Sequence, residues 1–178
     1  MDHTANSGNE IMLRQATVAD WQALTQLDQI IFGSYGAAED PAIIRARLKV
    51  FSPGCVVLEA DRPGDGDAPR REILGYLTTE KWHEVRDPVL DEDPHLTHQP
   101  NGTVLNITTL AVAPSHQHRG LGVRLVEQAV AIAQREGCCQ IVLETAHAVA
   151  FYERHHFVRI GERRQRNIPL YIMLYQLP

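Results

Sequence analysis

The sequence predicts an α+β (mixed α/β) fold in which about four helices flank a largely antiparallel, twisted sheet of six to seven strands. The predicted elements run strand, two helices, three strands, helix, strand, helix, two strands. A strand–helix–strand unit at 104–143 adds a parallel part, because parallel neighbours need such a crossover. The apolar share of 44% and the charged share of 22% are those of ordinary globular proteins.

The N-terminal half begins with a polar, aperiodic stretch at 1–9, which we expect to be a flexible tail before one domain over 10–178. A short strand is predicted at 11–14. Thr17 is predicted to cap a helix, because apolar residues recur after it at three-to-four spacing. Asp40 followed by Pro41 predicts the start of a second helix.

Two β-rich runs follow, at 55–60 and 72–79. The turn formers of 61–67 lie between them, so the two runs predict a hairpin. The stretch 86–102 holds acids, prolines and histidines without periodicity, which predicts a long surface loop, and loops of that length are often functional.

The C-terminal half is organised around a long strand at 104–112, which Pro114 ends. An amphipathic helix begins near Leu121 and is expected to end at Gly137. The remaining predictions are a strand at 141–143, a helix at 146–155, and final strands at 157–160 and 170–177.

Charge and composition argue against several classes of function. A net charge of −5 is unlike the basic balance of nucleic-acid-binding domains, so no nucleic-acid partner is expected. The sequence contains neither a long apolar span nor the start of a signal peptide, so we expect a cytoplasmic protein without a membrane partner. Three cysteines and nine histidines lack the spacing of a zinc motif, and no metal is expected. A monomer or a homodimer remains open.

The glycine-bearing loop at 117–122 is the strongest functional signal. It lies where a strand passes to the N-terminus of a helix, and there unpaired amides and the helix dipole attract phosphate. Arg119 adds a positive charge. A dinucleotide fingerprint would need Gly or Ala where the chain has Leu125, and the Gly-Lys-Ser/Thr of a P-loop is absent. A plain glycine turn before a helix is the alternative.

The surrounding residues resemble the two central motifs of the GNAT superfamily of N-acetyltransferases. They are Leu110-Ala111-Val112-Ala113-Pro114, Gln117-His118-Arg119-Gly120-Leu121-Gly122 and Ala148-Val149-Ala150-Phe151-Tyr152, followed by Phe157. The resemblance implies a GNAT-type fold and acetyl-coenzyme A as co-substrate, without a covalent enzyme intermediate.

Site residues follow from the same resemblance. It assigns Leu110, Ala111 and Val112 to the pantetheine arm, and the six residues Gln117 to Gly122 to the phosphates. Thr145 stands where the family commonly has an asparagine, and its hydroxyl is expected to bond the pantetheine arm. Tyr152 is expected to protonate the departing thiolate.

A weaker resemblance, through Trp82 and Leu96-Thr97-His98-Gln99-Pro100-Asn101-Gly102, is to the arylalkylamine branch that includes serotonin N-acetyltransferase. Two histidines relay the amine's proton in that branch, and this chain has Asn106 and Thr108 at their positions. The departure leaves the base open among Glu80, His83, Glu84 and Glu144. We select His83 because its ordinary pKa of about 6.5 suits proton transfer at neutral pH.

The expected reaction is therefore direct acetyl transfer from acetyl-coenzyme A to a small amine, such as an arylalkylamine. Two other functions remain open. One is a regulatory module that binds acyl-coenzyme A without turnover, and the other is a peptide or protein N-acetyltransferase. A cleft closed over by the 86–102 stretch would favour small amines, whereas an open groove would favour peptides.

Overall fold

The computed structural model describes residues 10–62, 70–165 and 167–178. The predicted tail at 1–9 and most of the predicted turn at 61–67 lie outside these residues. Across the described part of the chain, no helix combines the length and the apolar character needed to cross a bilayer.

Seven strands form one sheet in the described residues. They are β1 (Met12–Gln15), β2 (Val56–Arg62), β3 (Arg70–Trp82), β4 (Val104–Val112), β5 (Gln140–Thr145), β6 (Val158–Gln165) and β7 (Ile168–Gln176). The α-helices are α1 (Trp21–Phe32), α2 (Pro41–Val50), α3 (Pro94–Thr97), α4 (Leu121–Arg135) and α5 (Val149–Arg154).

The strand order is β1-β2-β3-β4-β5-β7-β6, and every neighbouring pair is antiparallel except β4 with β5. That one parallel pair is joined through α4, as the predicted strand–helix–strand unit requires. The mixed, mostly antiparallel fold class is confirmed.

Successive side chains of each strand point to opposite faces of the sheet. Both faces carry apolar side chains, and helices cover both of them. On the side that we call the α4 face, Leu77 of β3 and Leu105 of β4 pack with Leu125 of α4. On the opposite side, the α1/α2 face, Tyr76 packs with Leu24 of α1 and with Ile44 and Leu48 of α2. Burying each such leucine or isoleucine contributes about 1.5–3 kcal/mol, so these contacts hold the helices against the sheet.

The helix boundaries largely follow the capping signals. Asp40 accepts a hydrogen bond from the amide of Ala42 at 2.7 Å, and Pro41 is the first residue of α2, as predicted. Gly137 has φ of 71° just after α4, the left-handed conformation that favours glycine. Thr17 instead precedes a short 3-10 turn at Val18–Asp20, and α1 begins only at Trp21.

The 86–102 stretch contains a helix that was not predicted. Asp93 accepts a hydrogen bond from the amide of His95 at 3.0 Å, and Pro94 is the first residue of the single-turn helix α3. One turn is too short to show helical periodicity, so only the Asp-Pro pair signalled it.

Candidate active site

The candidate site lies where β4 and β5 separate. β4 pairs with β3 from Val104 to Val112, but its parallel pairing with β5 ends at Asn106, opposite Val142. Beyond that point β4 has a strand neighbour on one side only, within the described residues. The stretch 107–112, the upper half of β4, therefore presents a backbone edge that an extended ligand can pair with.

The direction of the backbone groups along this edge follows from one hydrogen bond. The amide of Ala113 donates to the carbonyl of Leu74 in β3 at 2.7 Å. Because a trans peptide points its C=O and N–H in opposite directions, the carbonyl of Val112 faces away from β3. It accepts from Nε2 of Gln117 at 3.1 Å. By the period of two, Leu110 also directs its backbone groups into the gap, whereas Ala111 directs them toward β3.

A β-bulge marks the start of the separation. Thr78 pairs with Thr109 and Thr79 pairs with Ile107, so Thr108 is an extra residue in β4. The hydroxyls of Thr78 and Thr108 are 2.7 Å apart. Bulges bend a strand and redirect its side chains, which here turns β4 away from β5 and exposes part of its upper half.

The 117–122 loop carries β4 into α4 through two residues with left-handed backbones. His118 has φ of 60° and Gly120, the N-cap of α4, has φ of 79°. A Cβ at Gly120 would meet nothing within 4 Å, so it is the backbone angle that favours glycine there. The first bond back to the cap is from the amide of Arg124 to the carbonyl of Gly120, at 3.1 Å. The preceding amides at the helix start have no backbone partner among residues 10–62, 70–165 and 167–178, so they can bind an anion.

The side chains of this loop differ in their surroundings. Gln117, His118 and Arg119 are exposed, while Leu121 is buried in the core of the α4 face. Leu121 can therefore offer a ligand only its backbone. A Cβ at Gly122 would lie 3.3 Å from the ring of Phe151, so α5 packs directly against the first turn of α4.

Tyr152 follows Phe151 in α5 and belongs to the same apolar cluster as Leu121 and Leu143. Its ring contacts the rings of Phe151 and Phe157. Burial raises the pKa of the Tyr152 hydroxyl, which therefore stays protonated at neutral pH. A hydroxyl that stays protonated is what the predicted acid role of Tyr152 needs.

Thr145 already holds one hydrogen bond of its own. Its Oγ1 accepts from the amide of Ala148 at 3.1 Å and so closes the turn that leads into α5. The hydroxyl proton is still available to an acceptor.

The structure does not gather the four candidate bases at one place. His83 and Glu84 are exposed beyond the end of β3, where Trp82 pairs with Val104. The 117–122 loop follows the opposite end of β4, eight strand positions or about 26 Å away. The choice of His83 rested on its ordinary pKa, which carries no information about position.

Glu80 and Glu144 are both engaged by arginines. Glu144 is bound through two nitrogens of Arg163, and burial raises its pKa despite this pair. Glu80 is 2% exposed and accepts from Arg47 at 3.1 Å and from the indole of Trp82 at 2.6 Å.

Arg47 is the centre of a buried charge network beneath the α1/α2 face that sequence reasoning missed. It is 3% exposed and binds Glu39 through two nitrogens, at 2.8 and 2.7 Å, as well as Glu80. The only signal in the sequence was an arginine beside the apolar stripe of α2 together with a glutamate in a strand, and both patterns are common on solvated surfaces.

The 86–92 loop crosses the α1/α2 face between the sheet edge and α2. Nη2 of Arg163 in β6 donates to the carbonyl of Pro88 at 2.8 Å. At the other side, the amide of Asp40 donates to Oδ1 of Asp91 at 2.7 Å. The loop thus covers the α1/α2 side of the gap between β4 and β5.

A tilted pair of rings makes a second contact near the same gap. The ring of Tyr35, after α1, lies 5.4 Å from that of His147, after β5. Both side chains are exposed, so they stand at the rim of the gap.

The family is settled by a sequence-family model. The model of the acetyltransferase (GNAT) family matches residues 21–157, which include the upper half of β4, the 117–122 loop and Tyr152. The chain belongs to the GNAT acetyltransferase family, and it is an acyltransferase. No curated protein matches it.

Solved structures show the same fold at low identity. The loading GNATL domain of CurA from Lyngbya majuscula is 18% identical, with a TM-score of 0.77 over 94% of this chain and 98% of that one. YncA, a putative acetyltransferase from Salmonella typhimurium bound to acetyl-CoA, is 22% identical, with a TM-score of 0.64 over 96% and 95%. A chain of the NatC complex bound to Gag peptide and CoA is 18% identical, with a TM-score of 0.68 over 95% and 99%.

Proposed function

We propose that this GNAT enzyme moves the acetyl group of acetyl-CoA directly to the amino group of a small amine. The proposal rests on two adjacent stretches of backbone whose hydrogen-bonding groups are unpaired. The open edge of β4 at 107–112 leads straight to the free amides at the start of α4. A ligand with an extended arm and a diphosphate needs those two features in that order.

The coenzyme contacts follow from this geometry. The pantetheine arm pairs with backbone groups of Leu110 and Val112 in the gap, with Ala111 between them, and the Thr145 hydroxyl bonds the arm from β5. The diphosphate lies on the amides of the 117–122 loop, where Gln117 and His118 border it and Arg119 adds charge.

Two groups act on the thioester. A backbone amide of the upper half of β4 donates to the carbonyl oxygen as negative charge develops there, and such donors contribute most when they are already fixed in place. Tyr152 donates its phenolic proton to the departing sulfur, supported by burial that keeps the hydroxyl protonated.

The preference for a small acceptor rests on the 86–92 loop. Its anchors on Arg163 and Asp40 leave little room for a polypeptide to cross the α1/α2 face. The exposed Tyr35–His147 pair at the rim offers aromatic surface to an arylalkylamine. Trp82 offers none, because it is 2% exposed and covered by the guanidinium of Arg86 at 3.9 Å.

A panel assay tests the activity. The protein is incubated with acetyl-CoA and arylalkylamines, polyamines, amino sugars or short peptides. Free thiol is followed with a thiol reagent, and the product is identified by mass spectrometry. We expect an N-acetylated small amine at rates well above those for any peptide. The absence of thiol release above background with every acceptor would overturn the proposal, and acetyl-CoA binding without turnover would identify a regulatory module.

The peptide alternative is favoured by one neighbour, the NatC chain bound to a peptide. Asp91→Gly separates the alternatives, because it removes the carboxylate that holds the loop to Asp40 and also relieves a φ of 62°. If the loop excludes peptides, this variant gains peptide acetylation relative to wild type. Faster peptide than amine acetylation by the wild-type enzyme would contradict the small-amine assignment.

A further inference from the structure

Asp28 is a buried carboxylate that the proposed reaction does not yet use. It lies in α1 and is 1% exposed. Its Oδ1 accepts from the hydroxyl of Tyr76 at 2.6 Å, and its Oδ2 accepts from the amide of Glu39 at 2.8 Å. No described lysine or arginine pairs with it, in contrast to Glu39, Glu80 and Glu144. Buried carboxylates without a cation partner are costly, so one that persists is a candidate functional group.

Tyr76 connects this carboxylate to the upper half of β4. Thr109 pairs with Thr78, so Tyr76 and Thr109 are diagonal cross-strand neighbours. The Thr108 bulge turns Thr109 toward the α1/α2 face, which brings the Thr109 hydroxyl close to the Tyr76 hydroxyl. Thr109 is partly exposed, whereas Tyr76 is 1% exposed. A row of hydroxyls therefore runs from the wall of the gap to the buried carboxylate.

We propose that Thr109, Tyr76 and Asp28 form a proton relay that deprotonates the acceptor amine. The ammonium gives a proton to the Thr109 oxygen as the Thr109 hydroxyl proton moves to Tyr76 and the Tyr76 proton moves to Asp28. The net change is one proton from the ammonium to the carboxylate, which leaves the nitrogen lone pair free to attack the thioester carbonyl. The inference rests on the proposed acetyl transfer and supplies its missing base.

The surroundings of Asp28 suit a proton acceptor. Burial raises its pKa, the nearby charge of Asp91 raises it further, and the hydrogen bonds from Tyr76 and Glu39 oppose the rise. Glu39 itself is neutralised by Arg47. Burial and the charge of Asp28 also raise the pKa of Tyr76, so its hydroxyl does not ionise and the transfer along the relay is concerted.

Three variants test the relay: Asp28→Asn, Tyr76→Phe and Thr109→Val. Each is expected to lower kcat/KM for the amine about 100-fold, the usual contribution of a general base, with acetyl-CoA affinity unchanged. The wild-type enzyme should show an acidic limb in kcat/KM against pH, because Asp28 must be ionised to accept the proton. Asp28→Asn should abolish that limb.

Thr79→Val is the matched control. Its buried hydroxyl donates to the carbonyl of Gly54 on the α4 face, so the variant loses a comparable hydrogen bond outside the relay. It should keep the wild-type kcat/KM and pH profile. Tyr76→Phe keeps the ring in the core, and it carries the test if Asp28→Asn does not fold.

The outcomes separate the two proposals. Wild-type turnover with relay variants within twofold of wild type and an unchanged acidic limb would overturn the relay and leave acetyl transfer standing. A wild-type enzyme that acetylates no amine would overturn both.

Discussion

The two sides of the gap between β4 and β5 differ in the kind of polar groups that they contain. On the proposed coenzyme side, the groups available to a ligand are backbone amides and carbonyls of the upper half of β4 and of the 117–122 loop, with exposed side chains at the rim. On the proposed acceptor side, beneath α1 and α2, the polar groups are instead ionisable side chains that are buried: Asp28, Glu39, Arg47 and Glu80. A backbone site tolerates changes of side chain, whereas a buried charge network depends on each member.

The largest effect is expected from breaking the network at its centre. Arg47→Met leaves Glu39 and Glu80 buried without their shared guanidinium, which should lower the free energy of unfolding by about 3–5 kcal/mol. Arg159→Met, which breaks the exposed pair with Glu162, should cost less than about 1 kcal/mol. Urea denaturation of both variants measures the difference. Equal decreases in the unfolding free energy would mean that the buried network contributes no more to stability than the exposed pair.

Tyr152→Phe should lower kcat about 100-fold, or about 2.7 kcal/mol in the barrier, because general acids contribute at least that much. Acetyl-CoA affinity by calorimetry should stay the same, since the ring and its contacts with Phe151 and Phe157 remain. A wild-type kcat would exclude Tyr152 as the acid.

Gly120→Ala and Gly122→Ala compare backbone angle with space on the coenzyme side. Alanine at 120 must adopt φ of 79°, which costs about 1–2 kcal/mol and disturbs the free amides, so KM for acetyl-CoA should rise about tenfold. At 122 the new Cβ has only to displace Phe151 slightly from 3.3 Å, and KM should change less. The reverse order would show that the Gly120 conformation does not matter for binding.

The smallest effect is a pair of opposite pH dependences. The pKa of Asp28 is raised in the folded state, mainly by burial. Its contribution to stability is therefore fully present below its ordinary pKa of 3.8 and is lost as pH rises through the raised value. The pKa of Asp20 is lowered by Arg14, so its contribution is present above 3.8 and is lost as pH falls through the lowered value.

Asp28→Asn and Asp20→Asn should therefore change the unfolding free energy in opposite directions as pH is varied. Thermal unfolding of both variants and of wild type over the acidic range makes the comparison. Parallel curves for the two variants would contradict the difference between the buried acid and the paired acid.

The same contrast explains what could be predicted from the sequence. The order of the strands and of the four predicted helices, the cap at Asp40 and the strand at 104–112 follow from local periodicity and capping, and the structure confirms them. The 117–122 loop could be predicted because a left-handed backbone position favours glycine, and that glycine can be read directly from the sequence. The helix at 94–97 was not predicted because a single turn is too short to show helical periodicity in the sequence.

The acceptor side could not be predicted because its contacts join distant residues. Asp28 meets Tyr76 across 48 positions of sequence, and Arg47 meets Glu80 across 33. The choice of His83 used an intrinsic pKa alone, whereas a base is selected by position, and the register of β3 with β4 puts His83 at the far end of the sheet from the loop.

Amide hydrogen exchange with and without acetyl-CoA tests most directly whether unpaired backbone holds the coenzyme. In the free protein, the amides at 120–123 and those of Leu110 and Val112 should exchange fast, because the described part of the chain offers them no hydrogen-bond acceptor. Acetyl-CoA should slow exchange at these positions and leave the paired amides of β3 unchanged. Binding that protects other segments and leaves the amides of Leu110, Val112 and 120–123 fast would contradict the account.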